Sequence, residues 1–317
     1  MVSDPERRRA APCTRRRLAA ASLAWPAAVA LPACSPPLPL LSAAGTSDGA
    51  RALLSASAAA HGGAALSRIG DVSIAYAGDW PPLIGSLQPA LVDSGFRGGS
   101  EERLLLPDGI VAQAHTGPKG RKQVVRTPSP GAQGGVRVWF NGEEAQDGER
   151  RAAAALVADG YSLFLLGPML LSGRWGRERG LTMDLGAAER ITVDSRTHAC
   201  DVLRLRMAPG LGFSGAEQLA LFIDRDERLM RRVRFGLEGL VSTRGAVAEV
   251  DTWAHATLHG VRWPTRFHER LLRPFPLPVH EWRLAGLDVD RGLRPAEIDG
   301  PSFGGKAAVP AAALPSA

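Results

Sequence analysis

Seven histidines and three cysteines stand in the 317-residue chain, and a few of them have the spacing of reactive groups. Asp251, His255 and His259 are four apart, which on a helix would build one metal-binding face of the H-E-x-x-H kind. This segment alternates as a strand, however, and there positions i and i+4 stand about 13 Å apart, too far to share one ion. His268-Glu269 and His280-Glu281 are adjacent pairs, so a strand sends the members of each pair to opposite faces; only a second strand could complete an acid–base dyad. Cys200 lies near His198 and needs a histidine and a carboxylate delivered by the fold to act as a nucleophile. Its other reading is a small buried apolar side chain. Leu211-Gly212-Phe213-Ser214-Gly215 lacks the spacing of a nucleophile elbow, and neither a phosphate loop nor a dinucleotide fingerprint is present. No catalytic group, metal site or cofactor is selected, so the expectation is a protein that binds without catalysis. A hydrolase site built across strands from His255, His259, His268 or His280 is the more distant alternative.

The elements that would carry these residues are mostly strands. Period-two patterning marks 71–76, 102–106, 110–115, 123–127, 136–140, 182–185, 190–194, 201–207, 218–224, 229–237, 246–256, 261–271 and 281–288. Hairpin chemistry sits at the joints: Pro107-Asp108-Gly109, Gly117-Pro118-Lys119-Gly120, Asp224-Arg225-Asp226-Glu227 and His259-Gly260. Strand following strand across short turns predicts an antiparallel meander and excludes a doubly wound parallel fold. The fold class is therefore mainly β (α+β), with a helix over 49–60 capped by Asp48 and stopped at His61-Gly62-Gly63.

Residues 149–171 break the pattern. An Ala-rich half forms helix readily; the apolar half, 161–171, is broken at Gly167-Pro168 and on that account is too short to span a bilayer. It has to be buried by the rest of the protein, either as a lid over an apolar cavity or as a helix capping a filled core. Tyr161, Phe164, Leu165, Leu166, Met169 and Leu170 are its candidate cavity or plug residues. Trp139, Trp253, Trp263 and Trp282 join them, because an indole suits a cavity mouth as well as a core; alternation puts Trp139 opposite Val136, Val138 and Phe140.

Residues 1–34 read as a signal segment, with Arg7, Arg8 and Arg9 ahead of Thr14-Arg15-Arg16-Arg17-Leu18, a twin-arginine-like motif, and an apolar stretch after it. Removing that segment takes away six Arg, Asp4 and Glu6, leaving 32 basic and 30 acidic residues. The basic pI is thus largely a leader property, and no nucleic-acid partner is expected. Leu31-Pro32-Ala33-Cys34 closes the segment, and a Pro/Ser-rich tether over 35–47 follows. A Pro/Ala/Gly-rich tail over 296–317 is expected to be disordered.

Leu31-Pro32-Ala33-Cys34 resembles a lipobox, with Pro32 departing from the usual small residue; cleavage after Ala30 or Ala44 is the alternative. Leader, N-terminal helix, many antiparallel strands and a mid-chain helical insertion together resemble the bacterial lipoprotein-carrier (outer-membrane lipoprotein-sorting, Lol-type half-barrel) superfamily over roughly 48–295. Ala59-Ala60-His61-Gly62-Gly63, Tyr76-Ala77-Gly78-Asp79-Trp80 and the run from Leu258-His259-Gly260 to Arg266-Phe267 are similar to phrases in that group. The resemblance implies a half-open barrel whose concave face binds acyl chains, with helices as a plug. It implies an exported envelope protein, anchored at the membrane through a lipidated Cys34, with a lipid or acyl chain as partner. A structural or assembly lipoprotein holding an envelope protein partner is the competing expectation.

Overall fold

The computed structural model describes residues 45–128 and 135–303, with Leu38 and Leu41; the leader, Cys34 and residues past 303 lie outside the described residues. The first described element is α1 (Asp48–Ala60). Its cap is Ser47, whose hydroxyl accepts from the Ala50 amide at 3.2 Å. Asp48, expected as the cap, stands instead in the first turn, where its charge meets the positive end of the helix dipole. Gly62, at φ 92°, turns the chain into the short α2 (Gly63–Leu66).

Five strands of a meander follow: β1 (Asp71–Asp79), then β2 (Gly99–Leu105), β3 (Ile110–Gly117), β4 (Gly120–Arg126) and β5 (Val136–Phe140), ending on the two-residue β6 (Glu143–Glu144). Between β1 and β2 come two short helices, α3 (Pro82–Leu87) and α4 (Pro89–Val92), each begun by a proline at its first turn. After α5 (Gly148–Ser172) and α6 (Arg174–Glu178) the chain returns to strands: β7 (Thr182–Leu185), β8 (Glu189–Val193), β9 (Arg196–Met207), β10 (Glu217–Asp224) and β11 (Met230–Gly236). The last strands are β12 (Val247–Trp253), β13 (Ala256–Leu258), β14 (Val261–Trp263), β15 (Arg266–Arg273) and β16 (Leu277–Val289), and α7 (Pro295–Ile298) completes the described chain.

Among the described residues, fourteen strands form one antiparallel sheet, in the order β6-β5-β4-β3-β2-β1-β16-β15-β12-β11-β10-β9-β7 with β8 on β9. The two ends of this order do not pair, so the barrel is open. Its curvature shows in the packing: α5 touches β4 and β5 near one end and β11 towards the other. Register shifts in β1/β16, β10/β11, β12/β15 and β15/β16 supply bends of the kind that let a sheet curl.

Strand alternation sorts the two faces. Val72, Ile74 and Tyr76 line up with Leu104, Val289, Leu287 and Leu284 inward, and Leu203, Leu205, Leu219, Leu221, Val233 and Phe235 continue that face. The outer face carries charge in ladders. Arg234 meets Glu249 at 2.9 Å, Arg232 meets Asp251 at 2.5 Å, and Arg270 bridges both carboxylates at 2.7 and 2.8 Å.

Two expected strands are shorter than the pattern suggested. The strand expected over 246–256 stops at Trp253 because Ala254 turns to φ 50°. The one expected over 261–271 divides at Pro264, which has no N–H for the ladder, into β14 and β15. β13 and β14 close as a separate hairpin on His259 and Gly260, both at positive φ (51° and 76°) as a two-residue hairpin turn demands.

The largest departure concerns α5. Its Ala-rich and apolar halves form one 25-residue helix, kinked where Gly167 adopts φ 45°, ψ −121° ahead of Pro168. A Cβ at Gly167 would come within 2.9 Å of the Met230 methyl, so glycine serves both the kink and the close approach. The helix is long and apolar enough to cross a bilayer by length and composition, contrary to the expectation from the apolar half alone, yet 89% of its most apolar window is buried inside the protein. Leu163 and Leu165, fully or almost fully buried, each stabilise by about 1.5–3 kcal/mol.

Packing continues past the boundary expected at 295. The Asp71 carboxylate accepts from the amides of Arg291, Gly292 and Leu293 at 3.0, 2.9 and 3.1 Å. Ile298 is then fully buried against Leu105, Ala112, Val125 and Trp139 on the outer face.

Candidate ligand cavity and a buried polar cluster

Between the helical layer and the sheet lies a cavity of about 880 Å³, within the upper part of the range small-molecule sites occupy. The end of α1, α2, the β2–β3 hairpin, the end of β4, the second half of α5 and the 209–212 loop contribute its walls. Leu104, Leu106, Val111, Leu166, Met169 and Leu170 give it an apolar lining. No histidine or cysteine lines it among the described residues.

One wall is charged. Asp159, buried in α5, accepts from Arg126 Nε at Oδ1 and Arg126 Nη2 at Oδ2, both at 3.1 Å. Arg179 Nη2 reaches Oδ2 at 3.2 Å and the Gly212 amide reaches it at 2.8 Å. Asp159 is the only charge between Arg151 and Arg174, and this carboxylate joins α5 to β4, to α6 and to the 209–212 loop. That isolation in an otherwise apolar helix is the signal by which sequence reasoning could have found it.

A second polar group occupies the inner face where β1, β2, β3, β15 and β16 meet α5. Trp80, His280, Trp282 and Phe267 form a column with successive centroids 3.9, 4.5 and 5.0 Å apart, and Tyr161 leans on it, its hydroxyl 3.3 Å from His280 Nδ1. Cross-strand register sets Glu269 directly opposite His280, the dyad that adjacent spacing alone could not form, and Glu102 opposite Gln113, whose amide donates to Glu102 Oε1.

Burial dominates the electrostatics there. It pushes the Glu102 carboxyl up to about 7 against the opposing hydrogen bond from Gln113, and the Glu269 carboxyl up to about 7 against the pull of Arg97. It also holds His115 and His280 well below the usual imidazole range, helped by Arg97. Lys122, although paired with Asp93 at 2.8 Å, is brought down to about 8 by burial and by Arg97. Two protonatable carboxyls and two neutral imidazoles could transfer protons, but only the imidazoles of His115 and His280 line the adjoining void, which is only about 20 Å³ and shares no lining residue with the large cavity. Nothing in the sequence flagged Glu102, His115 or Arg97, since each is an ordinary polar residue at a strand or loop position.

The other candidate residues are dispersed. Leu166, Met169 and Leu170 line the large cavity; Tyr161 and Trp282 line the small void; Phe164, Leu165 and Trp263 belong to the core. Trp139 and Trp253 stand on the outer face, packed with Ile298 and with Phe222 respectively, because alternation turns them away from the concave side. Asp251 is held by Arg232 and Arg270, His255 is buried beside His61 at a centroid distance of 5.9 Å, and His259 sits in the β13–β14 turn. No cluster of three metal-ligating side chains occurs among the described residues. Cys200 does meet a carboxylate: Asp224 lies opposite it and binds His198 Nδ1 at 2.7 Å. The thiol is nonetheless fully buried, and burial followed by Asp224 pushes it up to about 12, which keeps it protonated and unreactive.

An open antiparallel half-barrel with an N-terminal helix and a helical plug is the class of fold these elements define, as the resemblance implied. No protein-family model and no curated protein matches the chain. Solved structures similar to it include a DUF1329 family protein from Desulfovibrio piger (13% identity, 80% of this chain and 98% of that one, TM-score 0.45). A LolA superfamily protein from Nitrosomonas europaea is similar at 11% identity, over 78% and 96% of the two chains, with TM-score 0.39. A putative outer membrane lipoprotein-sorting protein domain from Vibrio parahaemolyticus is similar at 10%, over 79% and 97%, with TM-score 0.38.

Proposed function

We propose that this is an exported, lipid-anchored binding protein that holds a lipid or a lipoprotein acyl chain in the large cavity without changing it covalently. The observation that carries the reading is the 880 Å³ cavity itself, walled by Leu104, Val111, Leu166, Met169 and Leu170 and kept apart from the buried acid–base cluster. Burying an acyl chain there contributes about 25 cal/mol per Å² of apolar surface. The helix beyond the Gly167 kink forms one wall, so its displacement is the route of entry and release.

Native mass spectrometry of protein taken from its own envelope, with lipid extraction, tests the reading; a consistently empty protein without affinity for acyl probes would overturn it. Leu170 is half-buried on the cavity wall, and Leu170→Trp is expected to fill part of the volume and weaken acyl-probe binding by about tenfold. Unchanged binding in a folded variant would move the ligand elsewhere.

Anchoring rests on Cys34 and its lipobox-like context. The mature mass is expected to carry acyl groups that vanish in Cys34→Ser; cleavage after Ala30 or Ala44 would remove the anchor from the proposal.

A protein-binding role has one observation of its own. Leu83 and Leu87 on α3 are 56% and 47% exposed, Val241 is 83% exposed, and a 3.4 Å hydrogen bond from Gln88 to the Ser242 carbonyl ties the two segments together. Crosslinking in cells that captures a stoichiometric protein without bound lipid would favour this second reading.

A further inference from the structure

Four arginines line the large cavity, Arg68, Arg126, Arg174 and Arg179, against two carboxylates, Asp159 and Glu178. Arg126 satisfies Asp159 through two parallel hydrogen bonds, the geometry in which one guanidinium matches one carboxylate. Arg179 shares that same carboxylate, and its Nε is buried with no hydrogen-bond partner. Its guanidinium lies 3.8 Å from the Trp175 ring centroid, which fixes it flat before any ligand arrives. Arg174 pairs with Glu178 at 2.5 Å, and Arg68 has no ion-pair partner among the described residues. The wall therefore carries two positive charges more than its own carboxylates offset. A structural clamp on Asp159 would need Arg126 alone.

We propose that the cavity takes a single-chain amphiphile with an anionic head, a carboxylate or a phosphate. Its chain lies along Leu104, Val111, Leu166, Met169 and Leu170, and its head meets Arg68, Arg174 and Arg179. This rests on the reading of the cavity as an acyl site and adds the identity of the head group. A planar guanidinium fork matches both carboxylate and phosphate oxygens; Arg179 is 13% exposed, so its charge is weakly screened, while Arg68 and Arg174 are exposed at the edge of the apolar site.

The test is displacement of a fluorescent acyl probe from the purified full chain by decanoate, decyl phosphate, decanol, decyltrimethylammonium and inorganic phosphate. Decanoate and decyl phosphate are expected to bind about tenfold or more tighter than decanol, as charge-assisted hydrogen bonds do relative to neutral ones, with the cation weakest. The Arg68→Gln/Arg174→Gln variant, which keeps Arg179, is expected to cut that ratio several-fold and leave decanol unchanged, and either single variant, read as the same ratio, serves if the pair does not fold. Equal binding of decanoate, decyl phosphate and decanol overturns the head-group assignment but leaves the acyl cavity standing. Inorganic phosphate binding as well as decyl phosphate makes this a free-anion site and overturns it too. If no probe binds, both the acyl cavity and its head group are refuted.

Discussion

Asp159→Ala is expected to cost about 3–5 kcal/mol of folding stability, the loss typical when one partner of a buried ion pair is removed and the other charge is left behind. Here two guanidiniums and the Gly212 amide lose their acceptor together, and Arg126 has only the Gly212 carbonyl, at 3.4 Å, in its place. Side-chain exposure of 5% for Asp159 and 9% for Arg126 keeps the pair poorly hydrated and the ion pair weakly screened. Urea unfolding at constant pH measures the loss. The double variant Asp159→Leu/Arg126→Met is expected to recover only part of it, since the Arg126 charge is removed but Arg179 and the Gly212 amide still lose their acceptor. A loss below about 1 kcal/mol for the single variant would show the contact to be solvent-screened.

The second expectation concerns pH. Glu102 is raised from 4.5 to about 7 by burial, so between those two values the folded chain keeps a proton that the unfolded chain has released. Folding stability from this group therefore falls as pH rises from 4.5 towards 7 and stays low above it, by about 3 kcal/mol for a shift of this size. Glu269 acts in the same direction, with a smaller effect because it is partly exposed. His61, brought down to about 4 by burial, and His115, His255 and His280, also depressed, act oppositely and lose stability as pH falls below 6.5.

Glu102→Gln separates these contributions. Gln113 keeps an acceptor, the position no longer titrates, and the difference from wild type cancels the histidines. The variant is expected to match wild type near pH 4.5 and to exceed its stability by about 3 kcal/mol at pH 8. A difference that stays flat across that range would mean that Glu102 is not held in its neutral form.

How the chain reveals its fold follows from where its signals lie. A strand half-covered by other elements alternates, and 136–140 and 182–185 alternate clearly enough for both ends to match. Where alternation runs through a break that is local in origin, such as positive φ at Ala254 or the missing N–H of Pro264, the pattern overshoots. Short helices such as α3 and α4 have too few residues for a 3.6 period, so 82–92 carries no helical signal of its own. Leu166, Met169 and Leu170 were legible as buried apolar residues of the plug. Glu102 and His115 were not, because polarity in a strand ordinarily marks the solvent face, and only the register against neighbouring strands shows them pointing inward.

The strand order has a kinetic side as well. β1 is central, flanked by β2 from its own meander and by β16, whose residues lie some two hundred positions later. The half made of β1–β6 therefore has an unpaired inner edge while β9–β15 are being synthesised. Closing that seam brings distant parts of the chain together at a loop-entropy cost before the Val72–Val289 and Ile74–Leu287 neighbours are in place. Until then Tyr76 lacks its β16 neighbours, and the exposed edge of β1 is a template for pairing with other chains, so the nascent protein is at greatest risk of aggregation just before its last strand arrives.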